Sequence, residues 1–159
     1  MHFLDKIYSA FNSKSTEYSL AIFCDLKKAF DTVNFDILLA KLEHYGFRGK
    51  ELQWFFNYLK GRRQAVEIDG VSSTLKELLC GVPQGSVLGP ILFLIFINDL
   101  PNCSELFALL FADDTTLQIN SENLVSLFSK ANEELAKVAT WFRCNKLTLN
   151  VSKSKYILF

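Results

Sequence analysis

Leu109-Leu110-Phe111-Ala112-Asp113-Asp114-Thr115-Thr116-Leu117-Gln118-Ile119 sets two adjacent carboxylates between two apolar, strand-like runs. The run before Asp113 reaches back to Leu106, and the run after Asp114 carries Leu117 and Ile119 with polar residues between. This is the pattern of a β-hairpin with its acids at or beside the turn. Successive strand residues point to opposite faces, so the two acids share a direction only if the turn redirects one. Like charges about 4 Å apart repel by roughly 4 kcal/mol at an effective dielectric of about 20. Such a pair on an apolar hairpin implies a bound cation or a raised pKa. The competing reading is an Asp-rich turn, since Asp favours turns through local hydrogen bonds. The rest of the chain decides between them.

The 159 residues fit one domain and can bury a real core. A hydrophobic content of 50%, with 15 Phe, excludes a disordered chain. The longest apolar run, Val87 to Ile97, contains Gly89 and Pro90 and falls well short of the ~20 residues that span a bilayer. No membrane partner is expected, and no basic-then-apolar leader opens the chain. Cys24, Cys80, Cys103 and Cys144 are scattered and form no C-x-x-C. They read as free thiols of a reducing, intracellular compartment, nucleus and cytoplasm fitting equally. Formal net charge is zero. A self-sufficient nucleic-acid binder is usually basic, so any such contact must rest on local positive charge.

Phe3, Leu4, Ile7, Tyr8 and Phe11 are at helical spacing and predict a helix within 1–12 with no capping residue before it. Tyr18 to Cys24 is a short apolar run ending abruptly at Asp25, an uncomfortable place for a charge. Asn34 caps a predicted helix to about Tyr45, with Phe35, Leu38, Leu39 and Leu42 on one face and Gly46 as its stop. A second helix runs from about Lys50 to Leu59, burying Leu52, Phe55, Phe56 and Leu59. Gln64 to Ile68 and Ser73 to Leu79 flank Asp69-Gly70, a strong hairpin signal. Arg62 and Arg63 precede it, either as a basic edge for a phosphate backbone or as a solvated pair.

Gly81-Val82-Pro83-Gln84-Gly85-Ser86-Val87-Leu88-Gly89-Pro90 is a rigid, low-profile loop, and Pro90 suits the first turn of a helix from Ile91 to Asp99. That helix is apolar on all sides and should be buried, with Pro101 closing it. After the acidic hairpin, Ser121 caps a predicted helix to about Phe142, whose stripe is Leu124, Leu127, Phe128, Ala131, Leu135, Val138 and Phe142. Two short strands follow, Leu147 to Leu149 and Tyr156 to Phe159. A chain that opens inside one element and stops on an apolar strand reads as a piece of something longer. Asp25 and the Asp113–Asp114 turn both end strands. If those strands are neighbours, three carboxylates converge, the oxygen-only donor set that Mg²⁺ takes. Two such ions about 4 Å apart stabilise both oxygens of an in-line phosphoryl displacement.

Four stretches now carry a resemblance. Ala21-Ile22-Phe23-Cys24-Asp25-Leu26-Lys27-Lys28-Ala29-Phe30-Asp31-Thr32-Val33, the Gly81–Pro90 loop and Phe111-Ala112-Asp113-Asp114 resemble the first three palm motifs of reverse transcriptases, in the family's order. Asn145-Lys146-Leu147-Thr148-Leu149-Asn150, with Lys153 and Lys155, resembles the fourth. The likeness is greatest to the enzymes of non-LTR retrotransposons and covers about Phe3 to Phe159.

The resemblance implies an α+β palm: a small antiparallel sheet packed on helices, with part of the fingers inserted between the first two motifs. Residues 1–159 would be one partial domain, lacking the N-terminal fingers and the thumb. Asp25 and Asp113 would be the principal ligands of two Mg²⁺ ions, replaceable by Mn²⁺, with the Leu26 carbonyl assisting and Asp114 completing the cluster. Phe30 matches the bulky residue that excludes a ribose 2′-hydroxyl. Gln84 and Gly85 match the loop touching incoming nucleotide and template, and Phe111 a position beside the primer end. Lys153 matches the lysine that gives a proton to the leaving pyrophosphate, a role Lys155 could also fill. Asp31 reads as a turn or cap residue rather than a ligand. The implied partners are an RNA template, a DNA primer, a deoxynucleoside triphosphate, and the endonuclease, fingers and thumb of a retrotransposon polyprotein. The rival readings are a catalytically silent relic acting as an interaction module and a metal-dependent nuclease or cyclase.

Overall fold

The computed structural model describes Tyr8, Asn12 and residues 17–159. Of the helix predicted within 1–12, the remaining positions lie outside the described residues. In chain order the elements are β1 (Tyr18–Cys24), α1 (Phe35–His44), α2 (Gly49–Leu59), β2 (Arg63–Gln64), β3 (Glu67–Ile68), β4 (Val71–Ser72), β5 (Lys76–Glu77), α3 (Leu88–Ile97), β6 (Phe107–Phe111), β7 (Asp114–Ser121), α4 (Leu124–Cys144) and β8 (Lys155–Leu158), with 3₁₀ turns at Ala29–Thr32 and Leu100–Cys103. The chain divides into two compact units. One is Met1–Ala29 with Asn98–Phe159, the other Phe30–Ile97.

The first unit is an antiparallel sheet of order β6-β7-β1-β8. β1 is central because it is apolar on both faces: Leu20, Ala21, Ile22 and Cys24 are all buried. Residues of one parity, Leu20 and Ile22, meet Phe128, Ala131 and Leu135 of α4 around a cavity of about 280 Å³. Residues of the other parity face away from α4. There Ser19 accepts a hydrogen bond from Gln118 at 3.0 Å. Helix α4 buries Leu127, Ala131, Val138 and Phe142, of which Leu127, Val138 and Phe142 are each worth roughly 1.5–3 kcal/mol when covered. Its cap is Asn123, whose side chain accepts from the Ser126 amide. The predicted cap, Ser121, is instead the last residue of β7, held opposite Tyr18. Sheet pairing overrides the capping preference there.

The second unit packs α1 against α2 and α3. Asn34 caps α1 as predicted, accepting from the Ile37 amide, and Gly46 follows it at φ 102°. Helix α3 begins at Leu88, before the predicted Ile91. The Ser86 hydroxyl accepts from the Gly89 amide, and Pro90 lies where helical N–H groups have no partner anyway. Phe93 and Phe96 are fully buried, but Ile91 and Leu94 are exposed, correcting the expectation of burial all round. In α2 only Leu59 is fully buried, and Phe56 is exposed. Periodicity marked the apolar face, but it does not reveal what covers it. The predicted hairpin is present as two short ladders, β2 with β5 and β3 with β4, turning at Asp69 and Gly70 with φ 51° and 79°. Among the described residues no helix is long and apolar enough to cross a membrane, and all four cysteines are free.

Candidate active site

The acidic hairpin forms as its sequence demanded. Phe111 pairs with Asp114, leaving Ala112 and Asp113 as a two-residue turn. Ala112 has φ 51°, a left-handed conformation that Ala adopts at a cost of roughly 1–2 kcal/mol. β7 then runs antiparallel to β1 until Thr115 pairs with Cys24. One residue beyond that pair stand Asp114 on one strand and Asp25 on the other. By the alternation of the pleat, both lie on the sheet face away from α4. Asp113, at the turn, is not bound by that alternation. Asp25 and Asp113 are half-buried, whereas Asp114 is exposed. The sheet thus brings the three acids to one end of adjoining strands. It does not gather their side chains further: among the described residues no three His, Cys, Asp or Glu side chains form a group able to hold a metal ion.

The backbone at this end is set by a turn from the other side of β1. Asp25 donates its N–H to Ser154 Oγ at 3.2 Å, and its C=O accepts from the Asn150 N–H at 2.8 Å. Lys27 donates to the Thr148 carbonyl at 2.8 Å, so Leu26 lies opposite Leu149 with both flanking bonds made. In such a pair the middle residue's own N–H and C=O point to the opposite neighbour. The Leu26 carbonyl therefore faces the β7 side, where the hairpin acids are. The donors available there are all oxygens, from Asp25, Asp113, Asp114 and Leu26, and their hard character fits Mg²⁺. Cys24, the residue before Asp25, contributes no nucleophile, because burial pushes its thiol up to about 11. Lys153 is exposed in the turn 151–153, its N–H bonded to the Asn150 carbonyl. Phe111 is 79% exposed on the same sheet face as Asp114.

The other motif residues belong to the second unit. Phe30 is half-buried and packs on Phe93 with ring centroids 4.7 Å apart, so part of its ring is core. Gln84 and Gly85 are exposed, and Gln84 donates to the Asp31 carboxylate at 2.6 Å. Asp31 thus orients Gln84, an interaction that spacing alone could not reveal. The glycines flanking them are structural. A Cβ on Gly81 would stand 2.7 Å from the Asp31 carbonyl oxygen, and one on Gly89 would stand 2.4 Å from that of Pro83. Gly85, at φ 76°, has open space around it. Arg62 donates to the Leu59 and Gly81 carbonyls and lies over the Phe35 ring. Burial lowers its pKa. It braces the loop, which leaves Arg63 as the exposed member of the pair. Ser154 was not singled out from sequence, because one serine in a polar turn carries no periodic or spacing signal.

Residues 2–158 match the family model described as reverse transcriptase (RNA-dependent DNA polymerase). The probable RNA-directed DNA polymerase from transposon BS of Drosophila melanogaster is 35% identical over 167 residues, covering 99% of this chain and 18% of that protein. The RNA-directed DNA polymerase from mobile element jockey of the same organism is 29% identical over 154 residues, covering 92% and 17%. The chain spans less than a fifth of the length of these relatives. Among solved structures, telomerase from Candida albicans in complex with a fragment of telomeric RNA superposes with a TM-score of 0.70 at 13% identity, covering 96% of this chain and 29% of that one. Apo telomerase from Candida tropicalis gives 0.68 at 16% identity, covering 98% and 34%. These two likenesses are of fold: the palm-type arrangement of a small antiparallel sheet packed on helices.

Proposed function

Since the chain belongs to the reverse transcriptase family, of the non-LTR retrotransposon type, we propose that it carries the nucleotidyl-transfer centre of an RNA-directed DNA polymerase. A primer 3′-hydroxyl gives up its proton to water as its oxygen bonds to the α-phosphorus of a deoxynucleoside triphosphate, and the bond from that phosphorus to the bridging oxygen breaks, releasing pyrophosphate. Asp25, Asp113 and the Leu26 carbonyl would hold the divalent cations, with Asp114 beside them. When bound, Mg²⁺, or Mn²⁺ in its place, supplies charge stabilisation for the attacking and leaving oxygens. Lys153 gives its proton to the leaving pyrophosphate.

Phe30 excludes a ribose 2′-hydroxyl, and Gln84 and Gly85 contact the incoming nucleotide and template. Phe111, whose ring is open to solvent, lies against the primer end, and Arg63 meets a phosphate backbone. Arg62 assists by bracing the Gly81 loop. The template is RNA, the primer DNA, and the remaining fingers, thumb and endonuclease come from the same polyprotein, working inside the cell.

The observation that supports this reading best is the register. Pairing of Cys24 with Thr115 and of Phe111 with Asp114 sets the acids of two distant motifs at one sheet end. Primer extension on an RNA template tests it. Asp25→Asn and Asp113→Asn should each lower the single-turnover rate by about a thousandfold. Extension that survives both substitutions removes the mechanism.

A further inference from the structure

The ladder between β1 and β8 ends at Phe23 and Lys155. Main-chain contact with that side resumes only at Asn150, so residues 151–154 loop out opposite Asp25. Without a substitute, the Asp25 N–H would have no partner on this side. Ser154 supplies one. Its Oγ accepts from Asp25 N at 3.2 Å and donates to the Asn150 carbonyl at 2.9 Å. Asn150 in turn donates its N–H to the Asp25 carbonyl at 2.8 Å. The Asn150 carbonyl also accepts from the Lys153 and Ser154 amides, closing the turn on itself. Both backbone polar groups of Asp25 are therefore gripped by one turn, and that turn also carries Lys153.

We infer that Ser154 is a positioning residue: its hydroxyl fixes the backbone of Asp25, and with it the direction of the Asp25 carboxylate. The inference rests on Asp25 having the role proposed above. A single-turn clasp suits the task, because Asp25 lies beyond the last regular rung, where a strand end frays unless a side chain replaces the missing carbonyl. An acid that swings loses cation affinity and rate together, whereas nucleotide affinity, set elsewhere, stays put.

The test uses Ser154→Ala and Ser154→Thr in the intact protein. Removing the hydroxyl should raise amide hydrogen exchange at Asp25 about tenfold, the equivalent of ~1.4 kcal/mol, and leave Ala21 unchanged. In primer extension the same variant should lower kcat about tenfold, shift the Mg²⁺ midpoint upward and leave KM for the nucleotide within about twofold. Thr keeps the hydroxyl and should restore all three. Wild-type exchange at Asp25 in Ser154→Ala overturns the inference, as does a Thr variant as impaired as Ala. Asp25→Asn, run alongside, separates the two layers. If it retains full activity, the role of Asp25 is wrong and this inference goes with it. If it is inactive while Ser154→Ala keeps wild-type kcat and Mg²⁺ midpoint, only the positioning role is lost.

Discussion

Thr115 follows the acid pair directly and is 1% exposed, yet its Oγ1 finds no hydrogen-bond partner among the described residues. Burying a hydroxyl unmet costs on the order of 1–3 kcal/mol. The side chain points to the α4 face, away from Asp25 and Asp114, so the hydroxyl is not there to serve the acids. Thr115→Val keeps the shape and removes the unmet group. It should stabilise the chain by about 1 kcal/mol in urea unfolding and leave primer extension intact. A lower midpoint would mean that the hydroxyl is answered after all. Single residues were unevenly legible in the sequence. The acids, Asn34 and Gly46 announced themselves, because capping and turn chemistry is local. Asp31 with Gln84, and Asp25 with Ser154, were hidden because their partners are far apart in the chain.

Among the elements, α4 and β6 are tied together by one carboxylate. Glu134 of α4 accepts from the Glu105 amide at 2.7 Å, just before β6, and from Lys137 at 2.5 Å. The Lys137 hydrogen bond, then the Glu105 N–H, hold its carboxyl below the usual range. A carboxylate depressed in the folded state lends stability above its unfolded pKa of about 4.3 and loses it as pH falls through the lower folded value. Thermal unfolding should therefore lose part of its midpoint below about pH 4.3, and Glu134→Gln should flatten that acid limb while lowering the midpoint at neutral pH. An unchanged acid limb in the variant rejects the tie. Sequence periodicity found α4, but of its expected stripe Leu124 and Phe128 are exposed and Leu135 is half-buried, and it left the buried Glu134 as one more polar position. Its reason lies in β6, an element to which no local pattern connects it.

At the scale of the molecule, the four thiols fall into classes that report on the two units. Cys80, in the second unit, and Cys144, at the end of α4, are exposed, and Cys103 is half-buried. Cys24 is sealed in the central strand with its thiol pushed up to about 11, against about 8.5 for a free cysteine. At pH 8, a thiol reagent should label Cys80 and Cys144 within the mixing phase and Cys24 only as the first unit unfolds. Labelling of Cys24 at the rate of Cys80 would show that the strand is not sealed. In the sheet β1 lies between β7 and β8, both encoded far downstream, while the residues of the second unit come between β1 and either of them in the sequence. During synthesis, then, the ribosome releases this most deeply buried strand of the sheet long before either neighbour exists. Until β7 and β8 emerge, the nascent β1 offers two bare hydrogen-bonding edges, and shielding it is work for a chaperone or for the neighbouring stretch of the emerging polypeptide.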